Sequence, residues 1–241
     1  MRCSFISDLH LDADTPERND AFARFLTNES SRCDELYILG DLTEVWVGDD
    51  DDSAFAETLR HCLAGASALC RVFLQHGNRD FLIGNAFAER CGLEVLPEIH
   101  VIARNGQRVL LCHGDILCTN DFAYQRTRTV LRSPAWQREV LSKSIDERRA
   151  LAASMRSQSR AINANKPAQI MDAAPDAIDK LAREYAIDAI VHGHTHRPAV
   201  HRSDGPVPRY VLGDWDRCGW VLRFDGAFTL QRFALADRCE T

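Results

Sequence analysis

Short apolar runs punctuate the chain, and most end in a residue able to bind a metal. "CSFIS" leads to Asp8 and His10, "ELYILG" to Asp41, "CRVFLQHG" to Asn78, "RVLLC" to His113, and "DAIVHG" to His194 and His196. Runs of this length, rich in Val, Ile, Leu and Phe, predict buried strands. Helical patterns lie between several of them. Thr15-Pro16 offers an N-cap and a first helical position ahead of Phe22, Phe25 and Leu26 at helical spacing. Phe55, Leu59, Cys62 and Leu63 repeat the stripe, and Gly92 can close a helix that begins near Asn85. Such alternation predicts an α/β core, where ligands gather beyond the carboxyl ends of the strands.

From about Asp121 to Ala186 the pattern becomes wholly helical. Leu131, Val140, Leu141, Ile145, Leu151 and Met155 lie among basic residues, and Pro175 opens a helix with Ile178, Leu181, Ala182 and Tyr185 on one face. The first part reads as a helical insertion over the core and the last helix as part of the core. Strands are then predicted at "RYVLGDW", "GWVLRF" and "FTLQRFAL", the last two joined at Asp225-Gly226. One domain, 1–241, with an insertion at 121–170 fits this pattern as well as two small domains do.

Composition adds three points. At 241 residues, 45% hydrophobic and 27% charged, the chain can bury a sizeable core. No apolar run approaches a membrane span, and polar chemistry begins in the first strand, so no signal peptide is expected. Nine cysteines without a CxxC pair favour reduced thiols and a cytoplasmic location.

The net charge of −6 is unevenly spread, with ten basic residues against three acidic ones between Arg126 and Lys166. A basic block on an acidic protein predicts an anionic partner there, against the alternative of a solvated helical face. Nucleic acid is disfavoured, because Trp136 is the block's lone interleaved aromatic. The acidic run Asp49 to Asp52 reads as an exposed loop, and Trp46 beside it as packing.

The candidate chemistry lies in Asp8-x-His10, Gly40-Asp41, Gly77-Asn78-Arg79-Asp80, His113-Gly114 and Gly193-His194-x-His196, with His192 as a third imidazole. Each piece alone is weak, since a lone histidine is more often a core or surface residue than a ligand. The ordered series, each member after a strand, points to metal. Seven carboxylate, imidazole and amide groups exceed what one ion needs and would serve two. Ions about 4 Å apart can grip both sides of a phosphoryl group during in-line displacement.

The series resembles the calcineurin-like metallophosphoesterases, whose pattern runs D-x-H, GD, GN-[HR]-[DE], H, GH-x-H. "FISDLHL", "GDLTEVWVGDD", "HGNRDFLIG", "CHGDILCTND" and "VHGHTHRPAVH" resemble more narrowly the branch that cleaves the pyrophosphate of UDP-2,3-diacylglucosamine in lipid A assembly. The match runs from Asp8 to about His201. It implies a β-sandwich core flanked by helices, with the insertion covering the active site.

The resemblance further implies that Asp8, His10 and His196 hold one ion and Asn78, His113 and His194 the other, with Asp41 bridging. Two Mn²⁺ ions are implied, and His192 is left out of the ligand set. Asp41, Asn78 and Arg79 would carry catalysis. Asn78, Arg79, Asp121, Ser159, Asn163, Lys166 and His194 would contact the substrate, and Asp80 and Asp115 would orient ligands. The implied partners are a lipid-linked UDP-sugar and the anionic cytoplasmic face of the inner membrane, with no obligate protein partner. Arg79 stands where many relatives carry histidine. It cannot donate a proton but can fork onto phosphate oxygens, which suits a pyrophosphate with a good leaving group. Asn120, Thr43 and Val45 depart from the branch without removing a ligand.

Overall fold

A computed structural model of the chain describes residues 1–163, 166–167, 170–202 and 205–235, with Asn163 described by its backbone alone. Two sheets lie face to face. The first is six-stranded in the order β11-β10-β1-β2-β3-β4, built from β1 (Cys3–Ile6), β2 (Glu35–Leu39), β3 (Arg71–Gln75), β4 (Glu94–Val95), β10 (Cys218–Phe224) and β11 (Phe228–Ala234). The second runs β5-β6-β7-β9-β8, from β5 (His100–Arg104), β6 (Gln107–Leu111), β7 (Ala189–His192), β8 (Ala199–His201) and β9 (Arg209–Val211).

Alternation along the strands divides the core into layers. Phe5, Tyr37, Leu39 and Phe73 of the first sheet pack against Val109, Leu111 and Val191 of the second. The other face of the first sheet, with Ile6, Leu36, Ile38 and Leu74, takes α1 (Pro16–Glu29), α2 (Ala54–Ser67) and α3 (Asn85–Cys91). Leu110 and Ile190 turn outward from the second sheet onto α7 (Pro175–Tyr185). The expected sandwich flanked by helices is therefore present. Thr15 and Pro16 start α1 as expected, and Gly92 ends α3 at φ 65°.

Direction of pairing places the site. β1, β2 and β3 run parallel in register, Cys3 opposite Glu35 and Glu35 opposite Arg71. β6, β7 and β9 are parallel in the second sheet. Asp8, Asp41 and Asn78 thus follow the carboxyl ends of one sheet, and His113, His194 and His196 those of the other.

The helical stretch resolves into α4 (Phe122–Leu131), α5 (Pro134–Leu141) and α6 (Ile145–Asn163) ahead of α7. Part of its charge is met within the fold, besides any anionic partner or solvent. Arg148 grips both oxygens of Asp50 at 2.6 and 2.5 Å, and Arg149 pairs with Asp51 at 2.9 Å. Arg128 meets Asp115 and Glu98, and Arg132 donates to Gly77 O. Much of the basic block is keyed to acids of the core.

The acidic run Asp49 to Asp52 is accordingly more than the exposed loop expected of it. Asp49 accepts from Gly84 N and Phe87 N at the start of α3 and from Trp46 Nε1. Asp50 and Asp51 anchor α6. Trp46 is buried against Phe87, as packing requires.

Candidate metal centre

The seven expected ligands meet at the shared edge of the two sheets. Asp8, His10 and His196 bring ligand atoms within 4.8 Å of one another, and so do Asp8, Asp41 and His113. His10 Nε2 and His196 Nε2 are 3.3 Å apart, with His196 Nε2 3.3 Å from Asp8 Oδ1. Asp41 Oδ2 lies between the groups, 3.9 Å from His10 Nε2 and 3.7 Å from His113 Nε2.

Asn78 completes the second group. His113 Nε2 and His194 Nδ1 each lie 3.0 Å from its Oδ1 and 3.3 Å from one another. His113 Nδ1 is turned to Leu39 O at 2.9 Å, which leaves Nε2 with its lone pair inward. With the amide oxygen inward, three lone pairs face one point. Turning the amide over lets its NH₂ reach both rings and Asp41 Oδ2 instead. A donor set of converging lone pairs and carboxylates fits divalent cations, and its mixed N/O character suits an octahedral ion.

The backbone is bent to make this meeting possible. Among the described residues, seven non-glycine residues have positive φ, and five of them are expected ligands: Asp8 at 56°, His10 at 49°, Asp41 at 51°, His194 at 66° and His196 at 53°. Such conformations cost about 1–3 kcal/mol each and persist where surrounding contacts enforce them. Gly77 is required by close approach: a Cβ there would stand 2.1 Å from Asp41 Oδ1. Asp80 ties the two loops together, accepting from Gly77 N and Leu42 N at 2.7 Å each.

Burial and charge compete at every group. Burial favours a protonated Asp8, but His196, His113 and His10 override it and hold the carboxyl well below its usual range. Burial likewise favours neutral His196, yet Asp214 and Asp8 raise it to about 10, so cation binding there displaces a proton. His194, buried beside His113, is lowered to about 4. Asp80, buried beside Asp41, is raised to about 6. Asp115 is also buried, but His113 and Arg128 hold it low.

Other expected site residues take distinct places. Arg79 donates its N–H to Asp41 Oδ1 at 2.8 Å, and its Nε is 3.8 Å from Oδ2. Asp115 accepts from Tyr124 Oη and Arg128 Nε. Asp121 caps α4 through Tyr124 N and pairs with Lys166 at 2.6 Å. Ser159 lines a cavity that also reaches Asn78 and Arg79. The Asn163 side chain lies outside the described residues. His192 stands apart from both metal groups, buried with Nδ1 2.8 Å from Gly193 O and Nε2 3.1 Å from an Arg209 nitrogen.

Two carboxylates escaped the sequence reading. Asp214 Oδ2 is 3.5 Å from His196 Nδ1, and Glu44 Oε2 is 3.0 Å from His10 Nδ1. Gly213-Asp214 after β9 repeats the Gly-Asp signal of Gly40-Asp41 after β2. Glu44 carries no comparable signal. Tyr124, whose ring centroid is 5.9 Å from that of His194, was also missed.

Residues 1–198 match the family model for calcineurin-like phosphoesterases. The chain belongs to that family. This calcineurin-like phosphoesterase is 45% identical over 229 residues to the UDP-2,3-diacylglucosamine hydrolase of Cellvibrio japonicus (strain Ueda107), covering 92% of this chain and 94% of the relative. It is 44% identical over 232 residues to the enzyme of the same name from Pseudomonas aeruginosa (strain UCBPP-PA14), covering 93% and 95%. Among solved structures it resembles Yfce, a phosphoesterase from E. coli. The TM-score is 0.51 at 17% identity, over 99% of this chain and 95% of that one, a likeness of fold.

Proposed function

We propose that the chain hydrolyses the pyrophosphate of UDP-2,3-diacylglucosamine at the α-phosphorus, giving UMP and 2,3-diacylglucosamine 1-phosphate in lipid A biosynthesis. The observation that carries this reading is an apolar cavity between core and insertion that opens on Asn78 and Arg79. Its walls include Trp46, Phe81, Leu131, Trp136 and Met155. A soluble nucleotide needs no such wall beside the reacting phosphates, whereas acyl chains do. The relatives' names point to the same substrate.

Asp8, His10 and His196 would hold one ion and Asn78, His113 and His194 the other, with Asp41 between them. Bound divalent cations, Mn²⁺ on this reading, would supply Lewis-acid polarisation of the phosphoryl oxygens and activation of water. Arg79 lies at the cavity mouth and would fork onto phosphate oxygens, stabilising the charge that develops as the bridging bond breaks. Asp41 restrains Arg79 through its backbone N–H. Ser159, on the cavity wall, and His194 would contact sugar and phosphate, and Asp121 with Lys166, paired at 2.6 Å, would serve the glucosamine end. Arg156, also on the cavity wall, keeps Nη1 buried without a hydrogen-bond partner among the described residues, which an anionic ligand would satisfy.

On the same reading, 121–170 is an insertion within a single domain and acts as the lid of the acyl cavity. No helix among the described residues is long and apolar enough to cross a membrane. Phe122, Val130 and Ile162 are nevertheless exposed on the insertion helices. Peripheral docking on the anionic cytoplasmic face of the inner membrane would cover them.

The test offers Mn²⁺-loaded protein UDP-2,3-diacylglucosamine in detergent micelles and, in parallel, UDP-N-acetylglucosamine, both in ¹⁸O-water. UMP released from the lipid alone and carrying the ¹⁸O is expected. Equal cleavage of both substrates would point to a general nucleotide diphosphatase, and label in the sugar phosphate would move the attack to the β-phosphorus.

A further inference from the structure

Glu44 stands between the metal centre and the insertion. It follows Asp41 in the loop after β2, and its N–H donates to Leu11 O at 2.9 Å, beside the bridge between Leu11 and Thr43. That pins its backbone between the loops carrying Asp8, His10 and Asp41. Its two carboxylate oxygens serve different elements. Oε2 is 3.0 Å from His10 Nδ1, while Oε1 pairs with Arg156 of α6 and has Arg160, one turn on, at 3.5 Å.

A neutral imidazole presents one lone pair, so the nitrogen facing the ion must be the unprotonated one. A carboxylate beside Nδ1 favours the proton there and leaves Nε2 to the cation. His10 Nδ1 is close to Glu44 but not aligned as a finished hydrogen bond, so a small rotation of the ring would complete the contact. Asp214 stands in the same relation to His196, but after β9 and, among the described residues, without an ion pair to α6. Glu44 alone of the two also carries the insertion's arginines.

We propose that Glu44 is a positioning residue that fixes His10 for metal binding and, through Arg156 and Arg160, couples the loading of that site to the seating of α6 over the cavity. The inference rests on the metal reading of the centre. Coupling of this kind is reciprocal: an ion that orders His10 and Glu44 steadies α6, and a seated α6 favours the ion.

The experiment measures Mn²⁺ binding by the electron paramagnetic resonance signal of the free ion, and hydrogen exchange over α6 with and without saturating Mn²⁺. The proteins are wild type, Glu44→Ala, Glu44→Gln and Asp214→Asn, with circular dichroism to establish folding. Glu44→Ala is expected to weaken Mn²⁺ binding about 10–100-fold. Glu44→Gln should recover part of that loss, because its amide oxygen can accept from Nδ1–H. Mn²⁺ should slow exchange over α6 in wild type and not in Glu44→Ala. Asp214→Asn should weaken Mn²⁺ binding yet keep the α6 response.

Wild-type affinity in Glu44→Ala, or an undiminished α6 response at saturating Mn²⁺, overturns the proposal. Should Glu44→Ala not fold, full affinity and full α6 response in Glu44→Gln overturn it equally. Failure of wild type itself to take up Mn²⁺ would instead remove the metal reading beneath it.

Discussion

Gly193 is packed directly on the Asp8 carboxylate: a Cβ added to it would stand 2.1 Å from Asp8 Oδ2, the oxygen to which His194 donates its N–H at 2.9 Å. The same Cβ would lie 2.2 Å from Ser7 Oγ. Gly193→Ala must therefore push the first and last ligand loops apart. Overpacking of this kind costs about 1–3 kcal/mol. We expect a lower melting temperature and loss of at least one of two bound metal ions, read by elemental analysis. Two retained ions at unchanged melting temperature would mean that Asp8 is not fixed by this contact.

The left-handed backbone of the ligands predicts a stability effect that opposes function. His196 has φ 53°, where a Cβ is penalised by about 1–2 kcal/mol and glycine is not. Both His196→Gly and His196→Ala lose the ring and its contacts with Asp8 and Asp214. In metal-free buffer the glycine variant should be the more stable by about 1 kcal/mol in urea unfolding, while both lose one metal ion. If the alanine variant proves equal or more stable, the strain assigned to this position is wrong.

Arg79 predicts a split between charge and shape. Its backbone N–H donates to Asp41 and its Nε stands 3.8 Å from Asp41 Oδ2, which leaves its Nη donors to grip phosphate. Arg79→Ala should lower kcat by about 10²–10³-fold, in the range for loss of one transition-state donor, while two ions remain bound. Arg79→Lys should recover only part of the rate, because an ammonium cannot fork. Full activity in the alanine variant would remove Arg79 from the mechanism.

How much of this was legible follows from where each signal lies in the chain. The meeting of the seven candidate ligands could be read because each stands just after an apolar run, and parallel strands bring such ends to one edge. Their positive φ values could not be read, because they arise from tertiary contacts such as Gly77 on Asp41. The hairpin of β5 and β6 was missed although Asn105-Gly106, both at positive φ, marks its turn. The internal partners of the basic block were missed for a different reason. Its partners Asp50 and Asp51 lie 98 residues from Arg148 and Arg149, and Glu44 lies 116 from Arg160. Local sequence shows a surplus of charge but not the acids that answer it.

Arg148 is the anchor by which the seating of the insertion should be testable without altering a candidate metal ligand. Its side chain is 4% exposed and donates to Val47 O at 2.8 Å and Lys143 O at 2.9 Å, besides gripping Asp50. Gly48 leaves room for it, since a Cβ there would stand 2.3 Å from Arg148 Nη1. Arg148→Met keeps the apolar stem and removes the charged donors, leaving a buried carbonyl unpaired. Hydrogen bonds to a charged group are worth about 1.5–3 kcal/mol each way of counting, so α6 should loosen measurably. We expect faster proteolysis within 142–163 and a KM for the lipid substrate raised several-fold, with Mn²⁺ affinity lowered as α6 loosens and the cleavage of a small phosphodiester at saturating Mn²⁺ unchanged. A KM left at the wild-type value despite a loosened α6 would show that the insertion does not hold the acyl chains.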